Sequence, residues 1–279
     1  MIASPRIMGI LNITPDSFSG DGLMKEENYV DAALSQAAQM IADGADMLDV
    51  GGESTRPNAD PVSATEEIKR TEPILRALHV RYPDLPLSID TTKPEVARIA
   101  LAVGATLIND VSGEKADPEM AKLAAQQGAF LVVMHNEAQA NKVENDVVVG
   151  GAYEAPHYDD VTHEVIQKLK ELADRAMSMG VKAEKIILDA GIGFGKTPEQ
   201  NMKLIHEIDK IKALGFPFLL AASRKSFIGH VLQTPPDERL EGMAAIAAVA
   251  VMRGANILRV HDVRFIARVV KMTKFLVKS

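Results

Sequence analysis

The chain has 279 residues, 47% hydrophobic and 25% charged, a balance that fits a folded globular protein and excludes a disordered or fibrous one. A formal net charge of −7 gives no basic patch, so duplex nucleic acid and anionic membranes are poor partners and any bound anion must be caught locally. The lack of cysteine excludes disulfides, thiolate metal sites and a cysteine nucleophile.

Strand-length apolar runs alternate with longer amphipathic segments from end to end, the pattern of repeated βαβ units. A first strand is expected over Ile7 to Ile13 and a helix over Tyr29 to Asp43. Strands Met47 to Gly51 and Leu87 to Asp90 come next, then helix Pro94 to Val103. Strand Thr106 to Asp110 leads to helix Pro118 to Gln127, and strand Phe130 to His135 to helix Asp160 to Met179. Strand Ile186 to Asp189 precedes helix Pro198 to Ala213, and strand Phe218 to Ser223 precedes helix Leu240 to Arg253. Strand Ile257 to His261 and helix Val263 to Val277 finish the series.

Gly44-Ala45, Gly104-Ala105, Gly128-Ala129 and Gly254-Ala255 each fall between a helical segment and a strand, where glycine can form the left-handed cap that ends a helix. Eight units without a boundary linker predict one α/β domain over residues 1–279, a (β/α)8 TIM barrel, with a doubly wound open sheet as the alternative. The longest interruption, Asn136 to His157, is polar and follows a strand directly, which places it on the rim that carries the other strand-to-helix loops. Met1 to Ile13 is too short an apolar run for a signal peptide, and no stretch has the length to span a bilayer, so a cytoplasmic protein is expected.

In such a barrel the loops after the strands carry function, so a polar residue closing an apolar strand is a candidate. Asn12, Asp49, Asp90, Asn109, Asp110, His135, Asp189, Ser223, Lys225, Arg259 and His261 all stand there. Asp90 and Asp189 end the runs Leu-Ser-Ile-Asp and Ile-Ile-Leu-Asp. An ionised aspartate only accepts hydrogen bonds and suits adjacent N–H donors on a ring, and Asn109, which donates and accepts, could complete recognition of an amino-oxo heterocycle. The lesser, competing reading of Asp90 is a helix cap, since Thr-Thr-Lys-Pro follows it.

Arg56, Arg224, Lys225, Arg259 and His261 supply the opposite charge and could neutralise an anion. Gly191 to Thr197 nearly spells a phosphate-binding loop, but Ala190 stands in place of its first glycine and Pro198 interrupts the helix start. Those glycines are better read as letting backbone approach a ligand, with Phe194 offering a face to an aromatic ring. No serine-hydrolase elbow, zincin helix, zinc-spaced cluster or dinucleotide fingerprint occurs.

The run Asn12 to Ser19, Gly51 to Pro57, Ser88 to Thr91, Ile108 to Asp110, Met134-His135, Asp189 with Gly191 to Lys196, Ser223 to Ser226, and Arg259 to His261 together resemble the dihydropteroate synthase family of pterin-binding enzymes over essentially the whole chain. The resemblance implies a transferase of folate biosynthesis and a sulfonamide target, which joins p-aminobenzoate to a dihydropterin bearing a methyl diphosphate and releases pyrophosphate.

Within that resemblance Asp90, Asn109, Met134, Asp189 and Lys225 bind the pterin, and Asn12, Arg259 and His261 hold the diphosphate. Mg²⁺ is the implied cofactor, with Asn12 as its protein ligand. Thr55, Arg56, Pro57, Phe194 and Ser223 form the p-aminobenzoate side, closed by the loop of Asp16, Phe18 and Ser19. Asp90, Asp189, Lys225 and Arg259 are the implied catalytic set, and a homodimer through the last helices is implied as well. The chain departs from the family pattern after Met134-His135, where Asn136-Glu137-Ala138-Gln139 replaces Met and a Gly-containing turn, and at Ala190, Ala221 and Gly20-Asp21-Gly22. A pterin-binding methyltransferase barrel and a non-catalytic pterin-binding homologue are the two alternatives.

Overall fold

A computed structural model describes residues 5–14, 29–54, 59–139, 142–146 and 149–278. The chain begins with β1 (Arg6–Asn12), α1 (Tyr29–Ala42), β2 (Met47–Gly51), α2 (Ala64–Arg81), β3 (Leu87–Asp90), α3 (Pro94–Ala102) and β4 (Leu107–Asp110). Then come α4 (Pro118–Gln127), β5 (Phe130–Met134), β6 (Val143–Asp146), β7 (Gly150–Tyr153), α5 (Val161–Ser178) and β8 (Ile186–Asp189). The series ends with α6 (Pro198–His206), α7 (Ile208–Lys212), β9 (Phe218–Leu220), α8 (Ser226–Leu232), α9 (Leu240–Met252), β10 (Ile257–Val260) and α10 (Val263–Lys278).

Eight parallel strands close into a barrel in the order β1-β10-β9-β8-β5-β4-β3-β2, so the expected (β/α)8 fold is the one present and the open sheet is not. Closure abolishes the sheet edges, and every strand is buried on both sides, which is why each reads as an apolar run. Alternate residues face opposite ways along a strand. Ile7, Leu48, Ile89, Ile108, Leu131, Leu188, Leu220 and Leu258 pack in one core with the surrounding helices. Met8, Met47, Leu107, Val132, Ile187, Leu219, Ala221 and Ile257 form a separate cluster that fills the barrel interior.

The four Gly-Ala junctions behave as the sequence suggests. Gly44, Gly104, Gly128 and Gly254 all have positive φ. In each case the alanine N–H reaches five residues back, to the carbonyls of Met40, Ala100, Ala124 and Ala250, as in a Schellman cap. The cap turns the chain into the next strand with its register set.

Several elements differ from expectation, among them β9, which ends at Leu220 instead of Ser223, and α8, a helix over Ser226–Leu232 that was not among the segments read from the sequence. α2 has no counterpart among the segments read from the sequence, because its buried face includes Glu67 and Thr71 beside Ile74, Leu75 and Leu78, and Pro73 lies inside it. The helix expected over Pro198 to Ala213 is broken at Glu207 into α6 and α7. Leu204, Ile205, Ile208 and Ile211 stay buried across that break, so apolar periodicity does not register it. The polar stretch after His135 contains an antiparallel hairpin, β6 paired with β7, whose short strands show no apolar alternation. Among the described residues no helix is long and apolar enough to cross a membrane.

Candidate active site

The interior of the barrel is layered by strand periodicity. Two residues beyond the apolar plug, on the same inward parity, stand Asp49 after Met47, Asn109 after Leu107, Met134 after Val132, Asp189 after Ile187, Ser223 after Ala221 and Arg259 after Ile257. Ser88 and Asp90 share this parity through the pairing of Asp49 with Ser88 and of Asp90 with Asn109. Residues scattered along the whole chain therefore meet at the C-terminal mouth, the end at which barrel enzymes hold their substrates. Gly51 lies in this floor beside Asp90 and Asn12, where a Cβ would stand 3.5 Å from Asp90 Cβ and 3.8 Å from Asn12 Oδ1, both ordinary contacts.

A buried charge network organises the mouth. Arg259 donates from Nε to Asp49 Oδ2 at 2.6 Å and from Nη2 to Asp90 Oδ2 at 2.6 Å, and Asn109 Nδ2 donates to the same Asp49 oxygen at 3.0 Å. The remaining oxygens, Asp49 Oδ1, Asp90 Oδ1, Asn109 Oδ1 and Ser88 Oγ, are buried without a hydrogen-bond partner. Each such orphan costs about 1–3 kcal/mol. Four of them side by side on the inward parity of β2, β3 and β4 form a prepared set of acceptors for a ligand rich in N–H donors. Asp90 does not cap α3, whose N-cap is Lys93 with no side-chain cap bond.

Burial pushes the Asp90 carboxyl up to about 7 against the pull of Arg259. It also raises Asp189, although Lys225 opposes the shift and Asp189 Oδ1 accepts the Gly191 N–H at 2.8 Å. Lys225 moves the other way, lowered by burial to about 8 while Asp189 holds its proton on. Carboxyls raised and an ammonium lowered in one cleft are the mark of a functional site rather than of surface ion pairs.

Two loops complete the rim. Between β8 and α6 the chain runs so close to the end of β5 that a Cβ on Gly191 would lie 1.8 Å from the His135 carbonyl, and Gly191 has φ +65°. Lys196, the lysine of the phosphate-loop look-alike, is buried and points back to donate to the carbonyls of Gly191 at 2.9 Å and Phe194 at 3.0 Å. It shapes the loop instead of binding phosphate through a helix start, and burial lowers its pKa to about 7. Burial likewise pushes His135 down to about 3, so that imidazole is neutral.

The loop between β9 and α8 brings Lys225 Nζ onto the Ile192 carbonyl and 4.6 Å from the centre of the Phe194 ring. Ser223 Oγ accepts the His261 backbone N–H at 3.2 Å and lies 3.0 Å from its Nδ1. Ser223 and His261, which the resemblance assigns to different substrates, thus share one edge of the mouth.

Residues 8–261 of this chain match the family of pterin binding enzymes. The chain belongs to that family. A dihydropteroate synthase of Synechocystis is 45% identical over 97% of this chain and 89% of its own length. A dihydropteroate synthase of Clostridium difficile, solved in the presence of pteroic acid, superposes with a TM-score of 0.88 at 40% identity, covering 100% of this chain and 98% of that one. A Xanthomonas albilineans dihydropteroate synthase solved with 4-aminobenzoic acid gives a TM-score of 0.88 at 36% identity, covering 100% and 95%.

For a pterin-binding enzyme, the convergence of Asp90, Asn109, Met134, Asp189, Lys225 and Arg259 on one interior is the arrangement the sequence called for. Asn12, Phe194, Ser223 and His261 border it. Asp16, Phe18, Ser19, Thr55, Arg56 and Pro57 lie outside the described residues. Asp49, one of the strand-end residues without an assigned role, turns out to join Arg259 to Asn109. Its signal was a carboxylate on the inward parity of the run Met-Leu-Asp-Val-Gly. Arg239, which ties the Arg224 and Val149 carbonyls together, and Tyr153, which stacks on Phe194, carry no such signal.

Proposed function

We propose that this pterin-binding enzyme is a dihydropteroate synthase, which condenses the diphosphate of 6-hydroxymethyl-7,8-dihydropterin with p-aminobenzoate. The carrying observation is the set of unpartnered buried acceptors on Asp90, Asn109 and Asp49 beside Lys225 and Arg259. A pterin offers adjacent ring and amino N–H groups to the carboxylates of Asp90 and Asp189 and both a donor and an acceptor to Asn109, while Lys225 donates to its oxo or ring-nitrogen acceptors.

In the reaction the carbon–oxygen bond to the diphosphate breaks, and its electron pair leaves on the anion. Positive charge grows on the methylene-pterin, and Asp90 and Asp189 stabilise it where it develops. The lone pair of the p-aminobenzoate nitrogen then forms the new carbon–nitrogen bond, and that nitrogen loses a proton to solvent. No protein nucleophile takes part. Arg259 and His261 counter the charge of the leaving group, and Phe194 and Ser223 border the arylamine.

The donor set fits a Mg²⁺ ion held chiefly by diphosphate oxygens and water, because Asn12 offers one hard oxygen, and among the described residues no cluster of three or more His, Asp or Glu side chains could hold a metal alone. Bound there, Mg²⁺ would lower the charge on the diphosphate. We also place the enzyme in the cytoplasm as a homodimer. The test of the activity is pyrophosphate release. It should require dihydropterin diphosphate, p-aminobenzoate and Mg²⁺ together; absence of release with all three present refutes the assignment, and methyl transfer to a corrinoid would point to the other branch of the family.

A further inference from the structure

Arg239 is the least expected charge in the molecule. It lies between α8 and α9, is only 2% exposed, and all four of its hydrogen bonds go to backbone carbonyls: Nη1 to Arg224 at 2.8 Å, Nη2 to Val149 at 2.8 Å, and Nε and Nη2 to Thr234 at 3.3 and 3.0 Å. Among the described residues no carboxylate pairs directly with this guanidinium, although the charge of Asp237 acts on it, so its burial is expensive and an apolar side chain would fill the same space at lower cost. What a planar fork of donors supplies is geometry, since it fixes the positions of three separate carbonyls at once. The helix beside it makes room for this, because a Cβ on Gly229 would lie 2.1 Å from Arg239 Nη2.

Two of the three carbonyls belong to segments that shape the mouth. Arg224 immediately precedes Lys225 and has φ +59°, a left-handed conformation that costs a non-glycine residue about 1 kcal/mol and persists only where the surroundings enforce it. Its side chain is anchored on Asp262 by hydrogen bonds of 2.9 and 3.1 Å, and its carbonyl is anchored by Arg239. With both ends of Arg224 held, Lys225 stands at the N-cap of α8 with its ammonium directed to the Ile192 carbonyl beside Asp189. Val149 lies between β6 and β7 in their hairpin, within the long polar segment that follows β5. The same hairpin carries Tyr153, whose ring stacks on Phe194 at 6.1 Å between centroids and 19° between planes.

We propose that Arg239 is a positioning residue for Lys225, fixing the backbone of Arg224 and tying the β6–β7 hairpin to the same frame so that the Lys225 ammonium meets the pterin from a fixed position. This rests on the reading above that Lys225 binds the pterin, and it adds a residue that touches no substrate.

The experiment is a double-mutant cycle on binding of pteroic acid, followed by calorimetry, with the unfolding midpoint measured for each variant. Arg239→Lys keeps the charge but loses the fork, and is expected to weaken pteroate binding by about 100-fold, the scale at which a misplacement of roughly 1 Å is felt. Introduced into Lys225→Ala it should cause no further loss, because the group it positions is gone. Equal losses in both backgrounds, as a general structural defect would give, overturn the proposal, and so does wild-type affinity in Arg239→Lys.

Gly229→Ala is the second variant, chosen because it displaces the guanidinium while leaving Arg239 in the sequence. It should reproduce the loss and the non-additivity; a folded Gly229→Ala protein with unchanged affinity also overturns the proposal. Undiminished binding by Lys225→Ala alone would instead remove the pterin reading of Lys225, a distinct result visible in the same cycle.

Discussion

Asp90 and Lys225 illustrate how single residues are tuned by the barrel interior. Asp90 gives one oxygen to Arg259 and keeps the other buried and unpartnered, so a ligand N–H meets an acceptor that is already oriented. Asp90→Asn and Lys225→Ala are each expected to lower turnover about 100-fold or more while leaving cooperative unfolding intact, because each removes charge placed where the reaction develops its own. A near-wild-type rate of pyrophosphate release in either variant would show the assignment wrong.

The pH dependence of pterin binding follows from the same two groups. In the free protein Asp90 is raised to about 7 by burial, so as pH falls through that value the carboxylate gains a proton and the acceptor is lost. Lys225 is lowered to about 8 by burial, so as pH rises through that value the ammonium loses a proton and the donor is lost. Affinity should therefore peak between about pH 7 and about pH 8 and fall on both sides. Calorimetry from about pH 6 to about pH 9 reads this directly, and Lys225→Arg should erase the alkaline limb because arginine stays charged. A flat profile across that range would take both groups out of the pterin subsite.

At the scale of elements, the parts of the barrel that obey simple periodicity were legible in the sequence and the parts held by buried polar groups were not. Apolar runs located all eight strands, and the Gly-Ala junctions located four helix ends, because both are local signals of 2.0-residue pleat and left-handed cap. Inward parity then fixes where Asp49, Asn109, Asp189 and Arg259 point as soon as the strands close. α2 escaped because its inner face is partly ionic. Lys93, at the start of α3, bridges Glu67 of α2 at 2.7 Å and Glu53, just after β2, at 2.5 Å, and the Glu67 side chain is fully buried.

Such a pair does not announce itself through hydropathy, since its members are compatible with the interior only as partners. Lys93→Met leaves the Glu67 charge buried and uncompensated, and should cost about 3 kcal/mol in urea unfolding. Adding Glu67→Leu should restore most of it, as replacement of a whole buried pair by apolar side chains often does. If the single variant unfolds at the wild-type midpoint, the bridge contributes nothing to holding α2 and α3 on the barrel.

At the scale of the whole molecule, the parallel barrel sets its polar mouth at one rim and leaves the opposite rim clear of it. The polar mouth lies at the C-terminal ends of the strands, and the helices run back along the outside, so the C-terminal residues of α9 and α10 lie toward the opposite rim. Large apolar side chains are exposed there, with Met252 59%, Met272 59%, Phe275 67% and Leu276 63% accessible. Exposed apolar side chains at the ends of two helices packed on each other fit a self-complementary contact between two copies, with both mouths left open. Sedimentation equilibrium should accordingly give twice the chain mass. Met272→Lys combined with Phe275→Glu should yield a monomer whose turnover per chain is unchanged, because the mouth is built from one barrel alone. A wild-type protein that sediments as a monomer at all concentrations would assign those side chains some other role.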